Sequence, residues 1–96
     1  MQFLVTAYDG TDDDAQTRRK KARDAHIEGA KLLKKAGNII AGGAILNEDD
    51  QMIGSTLYVE FESKAAVDQW LQNDPYVTGG VWQDIEVLPI RLAIKP

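Results

Sequence analysis

Residues 39–61, IIAGGAILNEDDQMIGSTLYVEF, form the stretch of sequence that decides the fold. Two apolar segments, residues 39–46 and 53–61, flank a polar loop, and this pattern predicts a β-hairpin. The second segment alternates between inward and outward positions, and Ser55 is the one polar residue on its apolar face. Because glycine weakens a strand interior, the Gly42-Gly43 pair indicates a bulge or the close approach of a ligand or of another backbone segment.

An amphipathic helix is predicted on either side of this hairpin. The first begins within Thr11–Asp14, which fits a capping box, and runs to about Ala36, where Gly37 provides a left-handed stop. The second covers residues 64–73, starts at a Ser63 cap and ends where the residue before a proline is pushed out of the helical region.

Two further strands, residues 2–8 and 82–94, complete the chain. Pro89 lies inside the last strand and calls for a sheet edge or a bulge. The resulting order, β-α-β-β-α-β, is that of the ferredoxin-like fold, and right-handed crossovers place both helices on one face of the sheet. We therefore predict a single α+β domain with an antiparallel sheet over residues 1–96.

The opposite face of the predicted sheet carries Thr56, Tyr58 and alternate apolar residues of the neighbouring strands. A face of this kind is rarely left in water, so either a ligand or a second subunit covers it. A chain of 96 residues also buries a modest share of its surface on its own. We favour the second subunit and expect a homodimer.

The composition argues against several functional classes. Fifteen acidic and eleven basic side chains give a net charge of −4, whereas nucleic-acid-binding domains normally carry a basic face. Tyr58–Phe61 matches the end of an RNA-recognition strand motif, but residues 54–56 replace its basic residue, glycine and first aromatic. The chain has no cysteine, no membrane-length apolar run and no signal-peptide pattern. We expect a soluble cytoplasmic protein that binds neither nucleic acid nor membrane.

His26, the only histidine, lies on the inward stripe of the first predicted helix. Ser55 faces that helix from the sheet, and Asp74 ends the neighbouring helix. A carboxylate bonded to one imidazole nitrogen fixes the tautomer and leaves the other nitrogen free to move a proton. The alternative makes His26 a hydrogen-bonded core residue, Asp74 a turn residue and Ser55 a buried hydroxyl bonded to backbone.

The charged runs have simpler interpretations. The basic residues of 18–23 span every face of a helix, so we interpret the run as a solvated surface, although Arg19 and Arg23 share the side of His26. Helix capping explains Asp12–Asp14, and loop solvation explains Glu48–Asp50. With one histidine, no cysteine and no calcium-loop spacing, the sequence predicts no metal site.

These motifs, in this order and spacing, resemble the YCII-related (YciI-like) family over nearly the whole chain. The motifs that carry the resemblance are Arg23-x-x-His26, Gly42-Gly43, Gly54-Ser55, Phe61-Glu62-Ser63, Asp74-Pro75-Tyr76 and Gly79-Gly80-Val81. The resemblance implies a dimeric α+β barrel with a His–Asp site, here His26 and Asp74. It also implies lyase or isomerase activity on small ring compounds, as in dehydrochlorinases and lactone isomerases, without a metal or organic cofactor. Two departures, Ala44 where a proline is common and a short loop before Gly54, border the expected pocket, so the substrate does not transfer.

The leading hypothesis is a lyase or isomerase of a small cyclic or anionic metabolite, needing no cofactor. His26 takes or delivers a proton beside a carbonyl, and Asp74 orients its ring. Ser55 and Tyr76 donate hydrogen bonds to a developing enolate, and Arg23 anchors an anion. The alternative is a non-catalytic homodimeric module that binds a small ligand or a partner protein, with His26 structural.

Overall fold

The computed structural model describes residues 1–96, which form four strands and three helices. In chain order the elements are β1 (Gln2–Asp9), α1 (Ala15–Ala36), β2 (Ile39–Leu46), β3 (Met52–Glu60), α2 (Lys64–Asn73), α3 (Pro75–Thr78) and β4 (Trp82–Ile90). The strands form one antiparallel sheet in the order β2-β3-β1-β4. The predicted ferredoxin-like α+β fold is confirmed.

Helix α1 ends as predicted but begins later. At its C-terminus Gly37 adopts a φ of 88°, a left-handed conformation that costs glycine little. At its N-terminus the predicted Thr11 cap is wrong, because Asp14 is the cap residue and makes no side-chain capping bond. Asp12, which precedes the helix, accepts a hydrogen bond from the Asp14 amide at 3.3 Å and pairs with Arg18 of α1.

Asp74 joins two helices. Helix α2 starts at the predicted Ser63 cap, whose hydroxyl accepts from the Ala66 amide at 3.2 Å. It ends at Asp74, which also caps the short helix α3, accepting from the Tyr76 amide at 3.0 Å. The sequence interpretation missed α3 because it took Pro75 only as a helix terminator, although proline also suits the first position of a new helix.

The core lies between the helices and one face of the sheet. Alternate residues of β1, from Phe3 to Ala7, and of β3, Leu57 and Val59, are buried there against Val67 of α2. Strand β4 is an edge strand, as its proline indicated, but it ends at Ile90, so the predicted extension to residue 94 is wrong.

The other face of the sheet is uncovered within the chain. Tyr58 pairs with Leu4 across the sheet, and Leu4 pairs with Leu88 on its other side. Tyr58 is 37% exposed and Leu88 is 44% exposed. The second subunit expected on this face stays a prediction. None of the helices combines the length and the apolar character needed to cross a bilayer.

Candidate functional site

His26 and Asp74 form a buried pair at the junction of α1, α2 and α3. The His26 Nδ1 lies 2.7 Å from Asp74 Oδ2, and both side chains are at most 8% exposed. The same carboxylate oxygen accepts from the Tyr76 amide, so the α3 cap holds the carboxylate in place. A carboxylate can only accept, so this contact requires a proton on Nδ1, and in the neutral imidazole the free lone pair is then on Nε2.

Two aromatic rings fix the orientation of the imidazole. The Tyr76 ring stacks on His26 with 3.8 Å between centroids and 9° between planes. The Trp82 ring meets it edge-on at 5.3 Å and 77°. Burial raises the pKa of the Tyr76 phenol, so this hydroxyl stays protonated and can act as a hydrogen-bond donor.

A cleft between α1 and the sheet opens beside this pair, and we call it the α1–β2 cleft. Its volume is about 380 Å³. Its lining residues come mainly from α1, β2 and β3: Arg19, Arg23, His26, Ile27, Ala30, Lys31, Lys34, Ile39, Ala41, Gly42, Gly43, Ala44, Met52, Ser55, Leu57 and Tyr76. It has no acidic lining residue, and Arg23, Lys31 and Lys34, which pair with no carboxylate, make it cationic in a chain of net charge −4. The cleft therefore favours an anion.

Glycine in β2 gives the cleft its width on the sheet side. A Cβ placed on Gly42 would lie 3.1 Å from Leu57 Cγ, which is tighter than ordinary van der Waals contact. A Cβ on Gly43 would meet no atom within 4 Å. The predicted close approach of another backbone segment is made at Gly42, where a Cβ would also lie 3.2 Å from the Thr56 carbonyl oxygen of β3.

Ser55 lies in a second buried network, which the sequence interpretation missed. The Arg19 guanidinium binds both carboxylate oxygens of Asp9, at 2.9 and 3.0 Å, and donates to Ser55 Oγ at 3.0 Å. Trp82 Nε1 donates to the same oxygen at 3.1 Å. The alternative that the Ser55 hydroxyl bonds to backbone is therefore wrong.

For Arg19, the prediction that the basic residues of 18–23 form a solvated surface is wrong. Arg19 is only 5% exposed, whereas Arg23 is exposed as a solvated surface requires. The available signal was its position seven residues before His26, which places both on one helical face. Asp9 and Trp82 gave no such signal, because each is one residue at the end of a strand.

The structure thus places the predicted site residues in a bonded pair and in a group of three that lines the cleft beside it. His26 and Asp74 are bonded to each other, and Ser55, Tyr76 and Arg23 line the same cleft as His26. Arg23 makes no ion pair with Asp74 or with any other carboxylate. No three histidine, cysteine, aspartate or glutamate side chains come together as metal ligands.

Two relatives of known sequence match most of this chain. Protein YciI of Escherichia coli is 31% identical over 97 residues, which cover 95% of this chain and 97% of that protein. The derivative of benzaldehyde biosynthesis cluster protein C of Emericella nidulans is 31% identical over 84 residues, 80% of each chain.

A solved structure shares the fold at similar identity. It is a 5-chloro-2-hydroxyhydroquinone dehydrochlorinase from Burkholderia phenoliruptrix in complex with 2,5-dihydroxybenzoquinone. It matches with a TM-score of 0.82 and 29% identity over 95% of this chain and 94% of that chain. The model of the YCII-related domain matches residues 1–91. The chain therefore belongs to the YCII-related domain family.

Proposed function

We propose that this protein is a lyase or isomerase that moves a proton on a small anionic ring compound. The observation that carries the proposal is the buried His26–Asp74 pair, with 2.7 Å between Nδ1 and Oδ2 and with the imidazole lining a cationic cleft. The carboxylate holds the proton on Nδ1, so Nε2 is the atom that accepts a proton from the substrate.

The polar groups around the imidazole match the charge that such a reaction develops. Removal of a proton next to a carbonyl, or from a ring hydroxyl, leaves negative charge on oxygen. Ser55 and Tyr76 line the cleft and supply hydroxyl donors for that oxygen, and Arg23 supplies a cation without a competing carboxylate. The imidazolium formed on His26 is stabilised by Asp74.

The dehydrochlorinase supports elimination as the reaction type, because it shares the fold at 29% identity over nearly the whole chain. In an elimination of this type His26 takes one proton from the ring compound, and the electrons of the broken bond to hydrogen form a new double bond in that compound. The bond to the leaving group breaks, and that group departs as an anion with the bonding electrons. One proton and one anion leave together, so the step is redox-neutral.

One observation favours the non-catalytic alternative. His26 is buried and packed against two aromatic rings, as a purely structural histidine would be. In that case the cleft binds a ligand without converting it, and His26 only joins α1 to the α2–α3 junction.

An assay that measures chloride release from a chlorinated hydroxyhydroquinone distinguishes the catalytic function from the non-catalytic one. The test compares wild type with His26→Gln and Asp74→Asn. Asp68→Asn is the matched control, since Asp68 lies on α2, the helix that ends at Asp74, and forms an exposed pair with Lys64. We expect a loss of about 10²–10⁴-fold in the two site variants and none in the control. Full activity in a folded His26→Gln variant would refute the proposal.

We also propose that two copies of the chain pair through the uncovered sheet face. The exposed Tyr58 and Leu88 on that face support the proposal. A charge in the middle of a packed interface opposes association, so Tyr58→Glu should give a monomer by sedimentation. A wild-type protein that sediments as a monomer would refute it.

A further inference from the structure

We propose that Arg19 and Trp82 are positioning residues, which make the Ser55 hydroxyl a dedicated hydrogen-bond donor to a substrate oxyanion. Asp9 holds Arg19 in place for this role. The inference rests on the proposed function and adds to it the group that the cleft recognises at Ser55. That group is a ring oxygen carrying negative charge, such as the enolate or phenolate oxygen of a hydroxyquinone.

The hydrogen bonds at Ser55 leave its hydroxyl only one remaining use. A serine hydroxyl has two acceptor lone pairs and one donor proton. Arg19 Nη2 at 3.0 Å and Trp82 Nε1 at 3.1 Å occupy both acceptor positions of Ser55 Oγ. The structure contains no acceptor for the Ser55 proton, and Ser55 lines the α1–β2 cleft. The proton is therefore available to a ligand in the cleft, and that ligand must present an acceptor.

The two donors differ in what they contribute. Arg19 is a cation, so its hydrogen bond draws electron density from the hydroxyl and strengthens the donor. Trp82 is neutral, and it fixes the position of the oxygen. Packing holds both groups in place in the absence of a ligand, because Arg19 and Trp82 are only 5% and 4% exposed.

Asp9 occupies one end of the Arg19 guanidinium. Both of its carboxylate oxygens lie within 3.0 Å of Arg19 Nη1, so one end of the guanidinium is fully used. The remaining Nη2 points to Ser55, and Arg19 Nε is buried without a partner. The buried ion pair therefore acts on the ligand through the serine hydroxyl. This arrangement explains why a costly buried charge pair lies at the base of the cleft.

The test uses two ring compounds that differ in charge and have similar shape. The ionisable probe is 2,5-dihydroxybenzoquinone, and the neutral probe is its dimethyl ether, 2,5-dimethoxybenzoquinone. The ratio of their dissociation constants is the anion preference of the cleft. Changes in ring packing affect both probes and largely cancel in the ratio, so a merely structural role leaves the ratio unchanged.

Two tryptophans provide a matched pair of variants. Trp82→Phe removes an indole N–H that holds Ser55, whereas Trp70→Phe removes a buried indole N–H with no partner. We expect Ser55→Ala to reduce the anion preference roughly ten- to hundredfold, the range for a hydrogen bond to a charged group. Trp82→Phe should reduce it severalfold, and Trp70→Phe should leave it unchanged.

A double-mutant cycle tests whether Trp82 acts through Ser55. In the Ser55→Ala background, Trp82→Phe should cause no further loss of anion preference. Additive losses, or equal effects of Trp82→Phe and Trp70→Phe, would overturn the inference.

The ion pair is tested by removing both charges together. A single substitution leaves an unpaired buried charge and risks unfolding, but replacing both partners with apolar residues is often tolerated. The Asp9→Leu/Arg19→Met variant should fold and lose anion preference to about the extent of Ser55→Ala. An unchanged preference in this variant would overturn the role of Arg19.

The two proposals fail in different ways. Turnover that persists in His26→Gln overturns the proposed function, and an anion preference that does not depend on Ser55 overturns this inference alone. If the wild-type protein does not bind the ionisable probe more tightly than the neutral one, the inference also falls.

Discussion

Asp74→Ala should be among the most destabilising single substitutions in the chain, because the carboxylate has two structural partners. It caps α3 at the Tyr76 amide, and losing such a cap costs about 1 kcal/mol. It also accepts from His26 Nδ1 at 2.7 Å, and a buried donor left without a partner costs about 1–3 kcal/mol. The expected loss in the free energy of unfolding is therefore about 2–4 kcal/mol.

This loss is large enough to measure in a chain of this size. It corresponds to roughly 10–20 °C in the midpoint of thermal unfolding. Asp68→Ala is the control, because its pair with Lys64 is exposed and such pairs contribute only about 0.3–0.5 kcal/mol. Urea unfolding of both variants and of wild type gives the difference directly. If Asp74→Ala loses no more stability than Asp68→Ala, the two bonds assigned to Asp74 do not hold the α2–α3 junction.

Two other predictions concern the cleft wall and the loop before α1. Gly42→Ala should lower the free energy of unfolding by about 1 kcal/mol, because the new methyl group crowds the buried Leu57. Gly43→Ala places its methyl group in open space and should leave the free energy of unfolding unchanged or slightly higher. Equal losses of this free energy in the two variants, measured by urea unfolding, would contradict the crowding at Gly42. Arg18 holds the pKa of Asp12 at about 2, below its usual 3.8, chiefly through their hydrogen bond. Its stabilising contribution is therefore complete above pH 3.8 and is lost as the pH falls through about 2. Asp12→Asn should reduce the stability difference between about pH 5 and about pH 2, and an unchanged difference would show that this pair does not act on folding.

The sequence predicted the ends of helices well where a single residue determines the backbone conformation or the capping bond. Gly37 provides the left-handed stop of α1, and Ser63 caps α2 through its own hydroxyl. Helix α3 was missed because four residues carry no periodic pattern, and because Pro75 both terminates and starts helices. The start of α1 was misplaced because Asp14 and not Thr11 is the cap residue, and no side-chain capping bond forms there.

The candidate site was only half visible in the sequence. His26 and Asp74 could be paired because one lies on an inward helical stripe and the other in a family motif, although 48 positions separate them. Arg19 was hidden within a basic run, in which charge counting makes every member look solvated. Its burial depends on Asp9, at the end of a strand ten positions earlier, and on Ser55 from another strand. Such partners are decided by the packing of α1 on the sheet, which no local pattern records.

The measurement that tests the central claim most directly is nitrogen NMR of His26 during titration with 2,5-dihydroxybenzoquinone. The account predicts that the Nε2 resonance shifts as the ligand binds, while the Nδ1 proton stays in its hydrogen bond to Asp74. In Asp74→Asn the ligand-induced shift of Nε2 should be altered. Binding that leaves both nitrogen resonances unchanged would place the ligand away from His26 and contradict the account.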